Sequence, residues 1–140
     1  MTIYAIAMAL VEAAVVIYLR DLYYPSGFLI HQVVDLSQLS PRNVIVEVWR
    51  EAATIVMLGA VAYLSYATLR LRFWALVWCF AIWDLGYYLF LYVFLRWPPS
   101  LTTQDVYFLI PRPWLGPVWV PITFFIILGA IAFRMMSRPR

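Results

Sequence analysis

Four stretches of this chain are each long and apolar enough to demand burial along their whole length, and no core that 140 residues can build would cover all of them. They fall at about residues 3–20, 43–69, 73–95 and 114–133, each close to the ~20 mostly apolar residues that cross the hydrocarbon layer of a bilayer. Charged residues make up 12% of the chain, about half the share of a soluble domain. The sequence therefore predicts an all-α, polytopic membrane protein: one transmembrane domain over residues 1–140, with four transmembrane helices. A cleaved leader is not expected, because Met1 to Tyr4 holds no basic side chain and Glu12 would interrupt the apolar stretch.

Local signals set some of the helix ends. Ser40-Pro41 is a capping residue followed by proline at the first helical position, which starts the second helix. Arg70 and Arg72 read as bracketing a short turn, making the second and third helices an antiparallel hairpin. The two longer connections, Asp21 to Ser40 and Trp97 to Pro113, are too aromatic and aliphatic for freely solvated loops. They are expected in the headgroup layer or folded back over the helix ends as re-entrant segments, both on the non-cytoplasmic side. Trp97, Trp114 and Trp119 suit an interfacial belt, as does Tyr92.

Arginine placement bears on orientation. Arg70, Arg72, Arg134, Arg138 and Arg140 share one face with no acid beside them. Arg20, Arg42, Arg50, Arg96 and Arg112 share the other, among Asp21, Asp35, Glu47, Glu51 and Asp105. The counts tie, but the acid-flanked set is the more readily paired. Both termini are therefore expected in the cytoplasm, and the location is the bacterial inner membrane.

A charge near the bilayer centre is costly and usually faces protein or water. Glu12 and Asp84 are each close to the middle of a span and carry the strongest functional signal. On the second helix Glu47, Arg50, Glu51 and Thr54 recur at helical spacing and share a face, as do Asp84, Tyr87, Tyr88 and Tyr92 on the third. Arg20 is roughly aligned with Glu12. Combined, these faces predict a polar pocket with Glu12 and Asp84 as its floor and Glu47, Arg50, Glu51, Tyr87, Tyr88 and Arg20 along its walls. The bland alternatives are buried carboxyls that fix helix packing and a surface salt-bridge stripe.

The composition excludes several chemistries. His31 is the only histidine, too few for haem or a membrane di-iron centre. The chain has no lysine for a Schiff base, no phosphate-cradling glycine loop and no nucleophile elbow. Cys79 lies inside an apolar run and reads as a small buried hydrophobe. The carboxylates are oxygen donors of the kind a hard cation takes, but no metal and no cofactor is assigned. The basic residues form no clustered face, so nucleic acid is not an expected partner. The expected partners are the lipid bilayer and either further copies of the chain or other membrane subunits.

Several strings resemble an uncharacterised family of small four-helix bacterial membrane proteins. They are Tyr18-Leu19-Arg20 with Tyr23-Tyr24-Pro25, Arg50-Glu51-Ala52-Ala53-Thr54, Trp83-Asp84 with Tyr87-Tyr88, and Phe108-Leu109-Ile110-Pro111 through Trp114-Leu115-Gly116-Pro117-Val118. The resemblance implies the four-helix fold and transfers no mechanism. A glutamate in the first helix is similar to small multidrug resistance transporters in that feature alone. From the residues, the leading expectation is a protein that binds, and in one version translocates, a small ligand or ion, with protons as the natural coupling ion. The alternatives are an accessory subunit of a respiratory or photosynthetic membrane complex, and a small membrane enzyme acting on a lipid-like substrate.

Overall fold

The computed structural model describes residues 1–24, 27 and 40–137. The chain is mostly helical, with α1 (Thr2–Tyr23), α2 (Pro41–Ser65), α3 (Leu69–Leu95) and α4 (Trp119–Ser137). Between α3 and α4 it forms two short strands, β1 (Gln104–Phe108) and β2 (Trp114–Pro117). Helices α1, α3 and α4 are long and apolar enough to cross a membrane, with mean hydropathies of 2.1, 1.6 and 1.9.

Helix α3 is the central element, and α1, α2 and α4 all pack against it. The α1–α3 seam is lined by small residues: Ala5, Ala9 and Ala13 are wholly buried and recur every fourth residue. Opposite Ala9 lies Gly86, where an added Cβ would come within 2.7 Å of the Ala9 Cβ. Small side chains let backbones approach closely, which is how helices associate where water supplies no hydrophobic drive. Ala81 and Gly129 play the same part between α3 and α4.

Helix α2 is inverted relative to a soluble helix. Its buried face holds Glu47, Glu51, Thr54, Leu58 and Ala62, while Ile45, Val46, Trp49, Val56 and Leu64 are exposed. The helix begins as the Ser40-Pro41 pair predicts: Ser40 is the N-cap, and its Oγ accepts from the Asn43 N–H at 3.3 Å. The Arg70–Arg72 turn is corrected. Helix α2 ends at Ser65 and α3 starts at Leu69, capped by Thr68, so both arginines sit in the first turn of α3. Arg72 Nε donates back to the Tyr66 carbonyl at 2.7 Å, and its guanidinium lies over the Tyr63 ring.

The chain is mostly helical as expected, and the β1–β2 hairpin is the departure from an all-α chain. It is antiparallel, pairing Gln104 with Pro117, Asp105 with Gly116 and Val106 with Leu115, then shifting register so that Phe108 faces Trp114. The fourth helix accordingly starts at Trp119, not 114. The hairpin folds back into the bundle. Phe108 reaches the rings of Phe80 and Trp83 on α3, with centroids at 5.9 and 6.1 Å. Its neighbour Leu109 meets Glu51 of α2, ten residues beyond Pro41 and about 15 Å along that helix. Tyr107 arches over Gly116 and donates to the Pro117 carbonyl at 2.7 Å, pinning the hairpin across its width.

Trp97 is the other correction: it is buried, packed with Ala13, Tyr88, Leu91 and Val118, whereas Trp114 and Trp119 are about half exposed. Most of the first connection, with His31 and Asp35, and the tail arginines Arg138 and Arg140 lie outside the described residues.

Candidate functional site

The helices leave a cavity of about 110 Å³ bounded by α1, α2, α3 and the hairpin. All eight residues proposed from sequence for the pocket line it: Glu12, Arg20, Glu47, Arg50, Glu51, Asp84, Tyr87 and Tyr88. Each arrives there by helix register. Glu12 follows Ala5 and Ala9 on the buried stripe of α1, Glu47 and Glu51 occupy the inward face of α2, and Asp84 and Tyr88 are one turn apart on α3.

Arg50 organises the α1–α2 side. Its Nη1 pairs with Glu12 of α1, and its Nε and Nη2 reach Glu47 Oε2 at 2.8 and 2.7 Å. A guanidinium presents its donors in a fixed plane, which suits it to hold two carboxylates at once. It ties α1 to α2 while itself sitting at the cavity wall.

Glu51 has a partner that sequence reasoning did not foresee. Both of its carboxylate oxygens accept from the Leu109 N–H, at 3.1 and 3.0 Å. Leu109 lies just past the last paired residue of β1, so its N–H has no place in the ladder. An unsatisfied backbone donor in an apolar surrounding costs several kcal/mol. The carboxylate of α2 removes that cost and anchors the hairpin tip.

Asp105 was read from sequence only as an acid in a connection. It is 2% exposed and faces Arg20 at 3.4 Å, with the Tyr87 and Tyr88 hydroxyls directed at its carboxylate. The Arg20 guanidinium also lies over the Trp97 ring, 3.8 Å from its centre. Burial pushes the Asp105 carboxyl above its ordinary value, while Arg20 and the tyrosine hydroxyls pull the other way. Burial and the nearby Asp105 push the Tyr107 phenol up to about 12. The sequence signal for Asp105 was its place in the alternating run Gln104-Asp105-Val106-Tyr107-Phe108, a strand pattern that sends its side chain to the same face as Tyr107.

Asp84 and Asp105 each leave one buried carboxylate oxygen, Oδ2, without a hydrogen-bond partner among the described residues, but Asp105 is ion-paired to Arg20 through Oδ1 and Asp84 has no such pair. The indole Nε1 of Trp83, the sequence neighbour of Asp84, is also buried with no hydrogen-bond partner among them. Asp84 and Trp83 both line the cavity. Among the described residues, five carboxyl groups thus surround a space that also holds two guanidiniums. Among the described residues no three carboxylate, histidine or cysteine side chains converge in the manner of a metal centre; between Glu12 and Glu47, the central position is filled by Arg50.

An apolar outer surface, three helices of spanning length and an inward-facing set of charges define a helical membrane protein. No family model, curated protein or solved structure matches the chain.

Proposed function

We propose that the chain is a four-span protein of the bacterial inner membrane, with both termini cytoplasmic, whose interior cavity binds a small polar ligand or ion. The observation that carries the reading is the gathering of seven charged side chains around one cavity, in a protein whose outer surface is apolar. Charges placed this way are costly and are kept where they face a ligand, water or each other. As a fourth span, α2 turns Ile45, Trp49, Val56 and Leu64 toward lipid and its acids toward the cavity.

The cavity belongs to one end of the bundle. It is roofed by the hairpin, which supplies Asp105, Val106, Tyr107 and Leu109. Toward the opposite end, Ala5, Ala9, Leu58, Cys79 and Trp83 pack into an apolar cluster, and Thr2 of α1 accepts from the Trp78 indole at 3.0 Å. We take access to be from the hairpin side, because the apolar cluster closes the other end, and this favours binding over an open conduction path in this conformation. An accessory subunit would be expected to turn its polar face toward partner helices; the inward placement of all eight residues supports the ligand reading instead.

The test is cavity filling. Val16 lines the space without carrying charge, so Val16→Phe occupies it and leaves every ionisable group in place. A small charged or hydrogen-bonding compound that raises the melting temperature of the purified protein by mass action should lose that effect in Val16→Phe. Stabilisation that survives the substitution would refute the reading, as would a parent protein that no compound of this size stabilises.

A further inference from the structure

Among the described residues, each charged side chain around the cavity except Asp84 has an ion-pair or hydrogen-bond partner, although Asp105 keeps its second oxygen, Oδ2, unpartnered. Arg50 is held by Glu12 and Glu47, Glu51 by the Leu109 N–H, and Asp105 by Arg20. Asp84 is 9% exposed, and its Oδ2 meets no donor among the described residues. The Nε1–H of its sequence neighbour Trp83, in a residue 5% exposed, meets no acceptor among the described residues. Buried polar atoms of native proteins are nearly always satisfied, so an orphaned acceptor and an orphaned donor at one cavity call for a common explanation.

We propose that Asp84 and Trp83 bind a small primary ammonium ion that also carries a hydrogen-bond acceptor, the chemistry of 2-hydroxyethylammonium. This rests on the ligand-binding reading above and names the ligand class. The cavity has five carboxyl groups against two guanidiniums, and a cation beside Asp84 favours its ionised form whereas an anion opposes it. The ammonium donates to Asp84 Oδ2, and the oxygen accepts from Trp83 Nε1. The rings of Tyr87, Tyr88 and Tyr107 surround the same space, and aromatic faces with a carboxylate are a recurrent ammonium receptor. The size agrees. A cavity of about 150 Å³ holds benzene, so one of about 110 Å³ takes roughly four or five non-hydrogen atoms.

The same group exists free and as the headgroup of phosphatidylethanolamine. The experiment separates the two. The full-length protein is placed in phosphatidylcholine nanodiscs, and binding of 2-hydroxyethylammonium, n-propylammonium, n-propanol and acetate is measured by calorimetry. The expected order is 2-hydroxyethylammonium first, n-propylammonium several-fold weaker, and n-propanol and acetate undetected. Asp84→Asn should weaken the first two by on the order of ten- to a hundredfold. Trp83→Phe should erase the preference between them while leaving n-propylammonium bound. Nanodiscs containing phosphatidylethanolamine should compete with the soluble ion if the headgroup is the natural ligand, and should not if the free ion is.

Should Asp84→Asn fail to fold, the parent protein supplies the readout: 2-hydroxyethylammonium should protect Asp84 from modification by a hydrophobic carbodiimide, mapped by mass spectrometry. Tight binding of n-propanol or acetate without the ammonium ions would overturn the ligand class and leave the cavity reading standing. Ammonium binding indifferent to Asp84→Asn, or absence of protection at Asp84, would overturn the assignment to this pair. Binding of none of the four probes would overturn the inference, and the cavity-filling test would then decide the broader reading alone.

Discussion

Gly86→Ala perturbs the contact on which the geometry of the site depends. The new Cβ would come within 2.7 Å of the Ala9 Cβ, against an ordinary carbon–carbon separation of about 3.5–4.0 Å. Helices α1 and α3 would have to part by about 1 Å. Neither side offers a flexible side chain to yield, because Ala5, Ala9 and Ala13 are wholly buried and have only a Cβ. Overpacking of this kind costs about 1–3 kcal/mol, or a fall in melting temperature of roughly 3–12 °C for a chain of this size. Thermal unfolding of the purified protein in mild detergent measures it. Ala9→Gly in the Gly86→Ala background removes the clashing Cβ and should recover most of the loss, less the ~1 kcal/mol that glycine costs inside a helix. Gly59→Ala is the control: no atom comes within 4 Å of its added Cβ, so it should be neutral or gain up to about 1 kcal/mol. Equal effects at Gly86 and Gly59, or no rescue by Ala9→Gly, would refute the close α1–α3 approach. Because α1 carries Glu12 to Arg50, Gly86→Ala should also weaken any ligand that Val16→Phe excludes.

Four further outcomes follow from the same structure. Arg50→Gln strands two carboxylates and should cost about 2–4 kcal/mol, toward the low side of the range for breaking a buried pair because Arg50 is 22% exposed; Glu12→Gln added to it should restore part, and simple additivity of the two would argue against the bridge. If Asp84 and Glu12 only pack the bundle, Asp84→Asn and Glu12→Gln should keep both stability and ligand-induced stabilisation; loss of the ligand effect in a folded protein is the result expected here. Burial makes the folded chain hold the Asp105 proton more tightly than the unfolded chain does. The stability it contributes is therefore complete below the unfolded value near 4 and is lost as pH climbs through the folded one; Asp105→Asn should flatten that fall, and an unchanged slope would contradict the assignment. Cysteines at Thr2, Leu71 and Ser137, with Cys79 removed, should react with an impermeant reagent only from the cytoplasm, and labelling of position 71 in intact cells would reverse the orientation.

The inward set of charges was legible because helical spacing is a property of sequence. Glu47, Glu51 and Thr54 fall on one face of α2 whatever they pack against, and Asp84 with Tyr88 does the same on α3. Which charges pair was not legible, since Arg50 reaches Glu12 across two helices and the chain order is silent on that distance. The hairpin was missed for a different reason. Its strands are five and four residues long, and the apolar content that marks a membrane segment hides a two-residue alternation. Glu51 looked like a ligand group because its actual partner is a backbone N–H, which no residue pattern displays. Trp97 looked interfacial because tryptophan at the end of an apolar span usually is; its burial comes from Arg20 and Val118 folding over it.

The central claim is a cavity inside the membrane domain that opens on the hairpin side alone. Cysteine substituted at Val16, in a chain with Cys79 replaced by serine, reports on it directly. In sealed vesicles of each orientation, a small charged thiol reagent should modify Val16→Cys from the hairpin face and not from the face bearing the termini, while Ala9→Cys in the dry α1–α3 seam should resist from both. Val16→Cys that stays unreactive from the hairpin face, or reacts equally from the two faces, would contradict the account.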